Sequence, residues 1–292
     1  MHVTINRVSR ESTVGERDAH PSRARRVRAL RRAVLACSLA VSAALATLVA
    51  HAQAADYQPE VGQAGKDVVW VPTSQALVER MLDLGRVTPA DYLIDLGSGD
   101  GRTVITAARR GLTAHGIEYN PDMAELARRN AASAGLAERA TFATGDLFEA
   151  DLSRADVITM FLLPSINERL RPILLDLKPG TRVVSNTFRM GDWQPDQTAT
   201  VDADCQNWCT ALLWIVPAKV EGTWRMDGQE LKLSQRFQML SGTLGQAPIS
   251  DGRLNGSEIS FTVGGVRYTG TVDGKRITGK GRDGANWSAT RL

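Results

Sequence analysis

The chain has 292 residues, enough for one large domain and a small one with a sizeable core. Its formal charge of +3 misleads, because residues 1–32 hold nine Arg against three acids. From residue 53 onward 29 acids outweigh 26 bases, which removes electrostatic support for a nucleic-acid or membrane-surface partner.

Residues 1–32 are polar and Arg-rich, with no apolar periodicity. An Ala/Leu/Val run follows from Ala33 to Ala50, behind Arg31-Arg32. Small residues then give Ala50-His51-Ala52 and Ala52-Gln53-Ala54. A charged region, an apolar run and an A-x-A site describe a secretory signal peptide, so residues 1–54 predict export to the periplasm. Left uncleaved, residues 33–50 are just long enough to anchor the chain, the one route by which the sequence predicts membrane contact. Residues 55–67 read as a Pro/Gly/Gln linker.

Next, Val68-Val69-Trp70-Val71-Pro72 leads into a helix capped by Thr73 or Ser74. Its apolar face is Leu77, Val78, Met81, Leu82 and Leu84, and Gly85 ends it. Strands and helices then alternate: strand Tyr92–Leu96, helix Arg102–Arg110, strand Ala114–Glu118, helix Asp122–Ala134 and strand Ala140–Thr144. Strand Val157–Phe161, a helix from about Ser165 to Leu177 and strand Arg182–Thr187 complete the series. Five strands alternating with helices predict an α/β, doubly wound parallel sheet. Thr198–Ala203 and Thr210–Val216, with no helix between them, predict an antiparallel hairpin at its edge.

After Pro217 the texture changes. Residues 218–292 hold short alternating runs: Gly222–Met226, Glu230–Leu240, Ile249, Arg253–Leu254, Glu258–Val263, Val266–Val272, Arg276–Gly279 and Trp287–Arg291. Hairpin turns are expected at Asp227-Gly228, Asp251-Gly252, Asn255-Gly256, Gly264-Gly265 and Asp273-Gly274. The expectation is an all-β antiparallel meander of about eight strands, a small barrel or sandwich, with Trp224 and Trp287 in its core.

The chemistry concentrates after the first strand of the alternating region. Gly97-x-Gly99-x-Gly101 follows Asp95, and Arg102 stands where a dinucleotide fingerprint needs its last glycine. No Lys-Ser/Thr follows, which excludes a Walker A loop. Asp95 can bind an ammonium group directly or through water. Glu118, at the end of the second strand, can accept both hydroxyls of a ribose, and Asp146, after the third, can accept from an adenine amine. Three acids at the carboxyl ends of adjacent strands lie where open α/β sheets bind ligands. Together they predict a site for S-adenosylmethionine (SAM).

The stretches Asp95-Leu-Gly-Ser-Gly-Asp-Gly-Arg102, Gly116-Ile-Glu-Tyr-Asn-Pro121 and Gly145-Asp146-Leu-Phe148 resemble the SAM motifs of class I, seven-β-strand, SAM-dependent methyltransferases, with their Rossmann-like sheet. The resemblance is closer to the FAM173-like protein-lysine N-methyltransferases. It is carried by Val71-Pro72-Thr73, Asp156-Val-Ile-Thr-Met-Phe-Leu-Leu-Pro164, Asn167-Glu-Arg-Leu-Arg-Pro172, Lys178-Pro-Gly180, Arg182-Val-Val-Ser185 and Phe188. It covers about residues 68–216; the family often has Tyr where this chain has Trp70. It implies cofactor contacts from Asp95, Gly97, Ser98, Gly99, Asp100, Gly101, Glu118, Tyr119, Asp146 and Leu147. It also implies a protein partner that offers a lysine, methylated by in-line transfer.

The substrate pocket is expected from Trp70, Pro72, Thr73 and the apolar corner Phe161, Leu162, Leu163 and Pro164, which can desolvate a lysine and lower its pKa. Thr73 and Asn186 are polar candidates for its mouth, and no general base stands out. The (Asp/Asn)-Pro-Pro-(Tyr/Phe) signature of nucleobase and glutamine methyltransferases is absent. Small-molecule or lipid methylation, and a non-catalytic scaffold of the cell envelope, are the alternatives. His115 is the only histidine after residue 52, which excludes a His-based triad or His-rich zinc site, and no metal is expected. Cys205 and Cys209 flank Gln206-Asn207-Trp208; across the neck of a hairpin loop they would form a disulfide in an exported protein and stay reduced in a cytosolic one.

Overall fold

A computed structural model describes residues 57–281 and 284–292; the signal peptide or anchor expected within residues 1–54 lies outside the described residues. Among those described, no helix is long and apolar enough to cross a membrane.

Helix α1 spans Gln75–Leu84; the Ser74 hydroxyl caps it by accepting from the Leu77 amide, and Gly85 ends it. Strand β1 is Tyr92–Leu96, buried at four of its five positions. Then come α2 (Arg102–Arg109), β2 (Thr113–Glu118), α3 (Pro121–Ser133), β3 (Ala140–Thr144), β4 (Val157–Met160), α4 (Pro164–Leu175), β5 (Arg182–Asn186), β6 (Gln197–Thr200) and β7 (Thr210–Ile215). The seven strands run β3-β2-β1-β4-β5-β7-β6, parallel except for β7, which is antiparallel to β5 and β6. Successive residues of β1 face opposite ways: Leu93 joins the apolar cluster beneath α1, α2 and α3, and Ile94 joins the one beneath α4. The order reverses between β1 and β4, and their carboxyl ends open a crevice there.

The remaining strands close a barrel: β8 (Gly222–Met226), β9 (Gln229–Arg236), β10 (Met239–Leu244), β11 (Ala247–Asn255), β12 (Glu258–Val263), β13 (Val266–Asp273), β14 (Arg276–Gly281) and β15 (Asn286–Arg291), with β15 pairing back to β8. Its interior is filled by Trp224, Leu231, Phe261, Ile277 and Trp287. Each indole is satisfied: Trp224 donates to the Val220 carbonyl at 2.8 Å and Trp287 to that of Thr269 at 3.1 Å.

Two expectations for this region fail. The run Glu230–Leu240 is not one strand, because Arg236 pairs with Met239 across a two-residue turn of Phe237 and Gln238. Phe237 takes φ +54 with no glycine to mark it, and is held by contact with the sheet domain. Its ring stacks on Trp193 at 5.8 Å, and Gln238 accepts from the Trp193 indole at 2.9 Å. Conversely, Asp251-Gly252 is not a turn. It is a bulge inside β11, where the register shifts against both neighbours, so Ile249 and Arg253–Leu254 belong to one strand. The true turn is at Gly245 and Gln246, between Leu244 and Ala247.

Candidate active site

The crevice is a cavity of about 530 Å³. Its floor is the loop from β1 to α2. That loop folds under β2: the amides of Gly97 and Ser98 both donate to the Ile117 carbonyl, at 2.9 and 3.0 Å. Gly99 has φ +53, and a Cβ there would lie 2.7 Å from the Trp70 indole nitrogen. Gly101, at φ +83, begins α2 where a Cβ would meet Phe142 at 2.6 Å and Ala127 at 2.9 Å. The glycines therefore let two walls press on the loop. Gly116 does the same for Ser98, whose hydroxyl is buried and without a hydrogen-bond partner.

Each predicted acid lines this cavity with a different set of partners. Asp95 is 6% exposed and accepts from the Thr159 hydroxyl at 2.6 Å. Burial pushes its pKa up to about 7, against the Thr159 bond and with help from the Glu118 and Asp100 carboxylates. A cation beside it would restore its charge. Glu118 accepts from the Gly99 amide at 2.9 Å through one oxygen and from the Asn120 amide at 3.0 Å through the other. Each oxygen keeps a second acceptor site. Asp146 accepts from Lys66 at 2.7 Å and from the Phe148 amide at 2.9 Å, and the Lys66 ammonium holds its carboxyl below the usual range.

Lys66 was not among the expected site residues. The stretch read as a linker at 55–67 is, from residue 60 on, an antiparallel strap over the cavity. Gly62 donates to Trp70, Trp70 to Gln63 and Gly65 to Val68, at 2.8 to 2.9 Å. Lys66 also sits 4.4 Å above the Tyr119 ring. A lone lysine in a Pro/Gly/Gln-rich stretch carries no local signal for this; only long-range folding brings it there.

Beyond Asp95 the cavity turns apolar. Phe161 stacks on Phe188 with centroids 5.9 Å apart, and Trp208 tilts against Phe161, also at 5.9 Å. Leu162, Leu163 and Ile166 complete this wall. Trp208 lies between Cys205 and Cys209, which are joined by a disulfide with Cα atoms 5.7 Å apart. Neither Phe188 nor Trp208 was an expected pocket residue. The signals were a motif residue without an assigned role and an aromatic between two paired cysteines.

Of the expected residues, Trp70, Pro72, Thr73, Asp95, Gly97, Ser98, Gly99, Asp100, Glu118, Tyr119, Asp146, Leu147, Phe161, Leu162 and Leu163 line one cavity. Gly101 and Pro164 do not: they begin α2 and α4 and set the directions of those helices. Asp100 lines the cavity while paired to Arg102 at 2.6 Å. Of the two polar candidates for the mouth, Thr73 lines the cavity and Asn186 does not; both are buried, and the Asn186 amide donates to the Thr73 hydroxyl at 3.2 Å. His115 is half-buried on Thr141, at 2.8 Å. No group of three or more metal-ligating side chains occurs among the described residues.

A family model, the ANTKMT methyltransferase domain, matches residues 95–197. A protein-lysine N-methyltransferase of Saccharolobus islandicus is 41% identical over 152 residues, covering 51% of this chain and 94% of the relative. The adenine nucleotide translocase lysine N-methyltransferase of Mus musculus is 39% identical over 130 residues, covering 44% of this chain and 56% of the relative. The chain thus spans about half the length of that mammalian protein. A Salinibacter ruber RNA methyltransferase, solved with S-adenosyl-L-homocysteine, superposes with a TM-score of 0.48 at 51% identity, over 51% of this chain and 96% of that one. With the Saccharolobus relative covered almost end to end, the chain belongs to the SAM-dependent protein-lysine N-methyltransferase family.

Proposed function

We propose that this chain transfers a methyl group from SAM to the side-chain amine of a lysine in a protein. One observation carries the reading: acids from three adjacent strand ends and an aromatic wall line the same cavity. The donor set fits SAM. Asp95 would hold the methionine ammonium, which supplies the cation that its raised pKa awaits. Glu118 would accept from the two ribose hydroxyls through its remaining acceptor sites. Asp146, with Tyr119 and Leu147, would take the adenine end under the Lys66 strap. The unpartnered Ser98 hydroxyl would offer the cofactor one more polar contact.

SAM, when bound, supplies a sulfonium methyl group open to in-line attack by a nitrogen lone pair. The chain's own part is to align and to desolvate. Phe161, Leu162, Leu163, Phe188 and Trp208 exclude water from the acceptor amine. Burial there disfavours the ammonium form and frees the lone pair. The lysine specificity of the family relatives supports this choice of acceptor. The Cys205–Cys209 disulfide supports an oxidising compartment, in keeping with export through residues 1–54.

Equilibrium dialysis with labelled SAM, followed by labelling of an envelope protein extract, tests the reading. Saturable binding at one site, and label retained on lysine after protein hydrolysis, are the expected results. Label confined to the lipid fraction would overturn the acceptor, and no binding by the folded chain would overturn the function.

A further inference from the structure

Trp208 stands out in this cavity for three reasons. It is the aromatic of the Phe161–Phe188–Trp208 wall that sits on the β6–β7 loop, inside a disulfide-closed segment, and it remains 43% exposed. Its backbone sits at φ +55, a region that a bulky side chain rarely occupies and that glycine or asparagine would fill without strain. The five-residue loop bearing it is closed by a disulfide. The β6–β7 ladder ends just before that loop, where the Val201 amide donates to the Cys209 carbonyl at 2.9 Å. Past this bond the disulfide ties the loop together, and Trp208 lies against Phe161.

From this arrangement we infer that Trp208 is an acceptor-specificity residue positioned by the Cys205–Cys209 disulfide, so that reduction weakens lysine binding and leaves SAM binding intact. The inference rests on the lysine reading above. An indole face at the mouth attracts an incoming ammonium by cation–π interaction and packs on its methylene stem. Phe161 and Phe188 then receive the chain and strip its water. Reduction by a dithiol adds two electrons and two protons to the disulfide, giving two thiols, while the dithiol becomes a cyclic disulfide. The opened loop can then leave its strained conformation, and Trp208 leaves the wall. The cofactor groups Asp95 and Glu118 sit on β1 and β2 and do not depend on this loop.

The test uses the full chain with tritiated SAM and poly-L-lysine as acceptor, before and after dithiothreitol. Reduction is expected to raise the acceptor KM about tenfold, with the SAM Kd unchanged within twofold. Trp208→Ala should raise KM comparably, and reduction should then add nothing, since both act on one contact. Trp208→Phe should restore part of the affinity. Cys205→Ser with Cys209→Ser should match the reduced wild type, with SAM binding reporting that the fold is kept. An acceptor KM that ignores both reduction and Trp208→Ala overturns the inference while lysine methylation stands. Absence of any lysine labelling by the oxidised wild type overturns the functional reading itself.

Discussion

Replacing Glu118 with alanine separates cofactor binding from fold. The wild-type carboxylate already accepts from the Gly99 and Asn120 amides at 2.9 and 3.0 Å, and the ribose would add one bond to each oxygen. Hydrogen bonds to a charged acceptor contribute about 1.5–3 kcal/mol each. Taking the lower value for each of the two gives about 3 kcal/mol, or roughly a hundredfold rise in the SAM Kd. The same truncation leaves two backbone N–H groups without a protein acceptor. Because both are only partly buried, the stability cost should be about 1 kcal/mol, a fall of about 2–4 °C in Tm. Glu118→Gln keeps one carbonyl acceptor and should lie between, at about tenfold. Calorimetric titration with SAM, beside a thermal melt, reads both quantities. SAM affinity within fivefold of wild type in Glu118→Ala would refute the assignment of Glu118 to the ribose.

Four further outcomes follow from the geometry. Asp95 titrates at about 7 in the folded chain against 3.8 as a free side chain, so the folded state holds an extra proton between those values. The Asp95 contribution to stability should therefore be full below about pH 4, fall toward pH 7 and level off above it, and Asp95→Asn should remove that part of the pH dependence in denaturant titrations. A pH dependence identical in wild type and variant would contradict the burial of the Asp95 carboxyl. SAM binding near pH 6 should release a proton from Asp95, seen as a binding enthalpy that varies with buffer ionisation enthalpy. Gly99→Ala puts a Cβ 2.7 Å from the Trp70 indole at φ +53, which should cost about 1–2 kcal/mol in backbone strain alone and weaken SAM binding. Trp287→Ala empties the barrel core at a residue 5% exposed, and should cost about 3–5 kcal/mol in thermal or denaturant melts without altering SAM affinity.

What was readable in the sequence follows from local physics. A buried run ending in Asp95 and a glycine-rich loop gave β1 and its turn, and the regular strand–helix alternation set Glu118 and Asp146 at neighbouring strand ends. The rest depends on contacts distant in sequence. Phe237 turns the chain at positive φ because Trp193, more than forty residues earlier, holds its ring. Asp251-Gly252 has turn chemistry, yet pairing on both sides converts it to a bulge. Lys66 meets Asp146 across eighty residues, and Trp208 meets Phe161 across nearly fifty. Thr73 and Asn186 are polar, and only the packing of α1 against β5 reveals that the Asn186 amide is spent on the Thr73 hydroxyl.

Lysine methylation is read most directly by mass spectrometry of acceptor proteins incubated with the oxidised full chain and trideuteromethyl SAM. Trideuteromethyl groups are expected on lysine side-chain nitrogens, and far fewer of them at the same sub-saturating SAM concentration when Glu118→Ala replaces the wild type. Deuterium on no lysine, from a folded chain that binds SAM, would contradict lysine methylation.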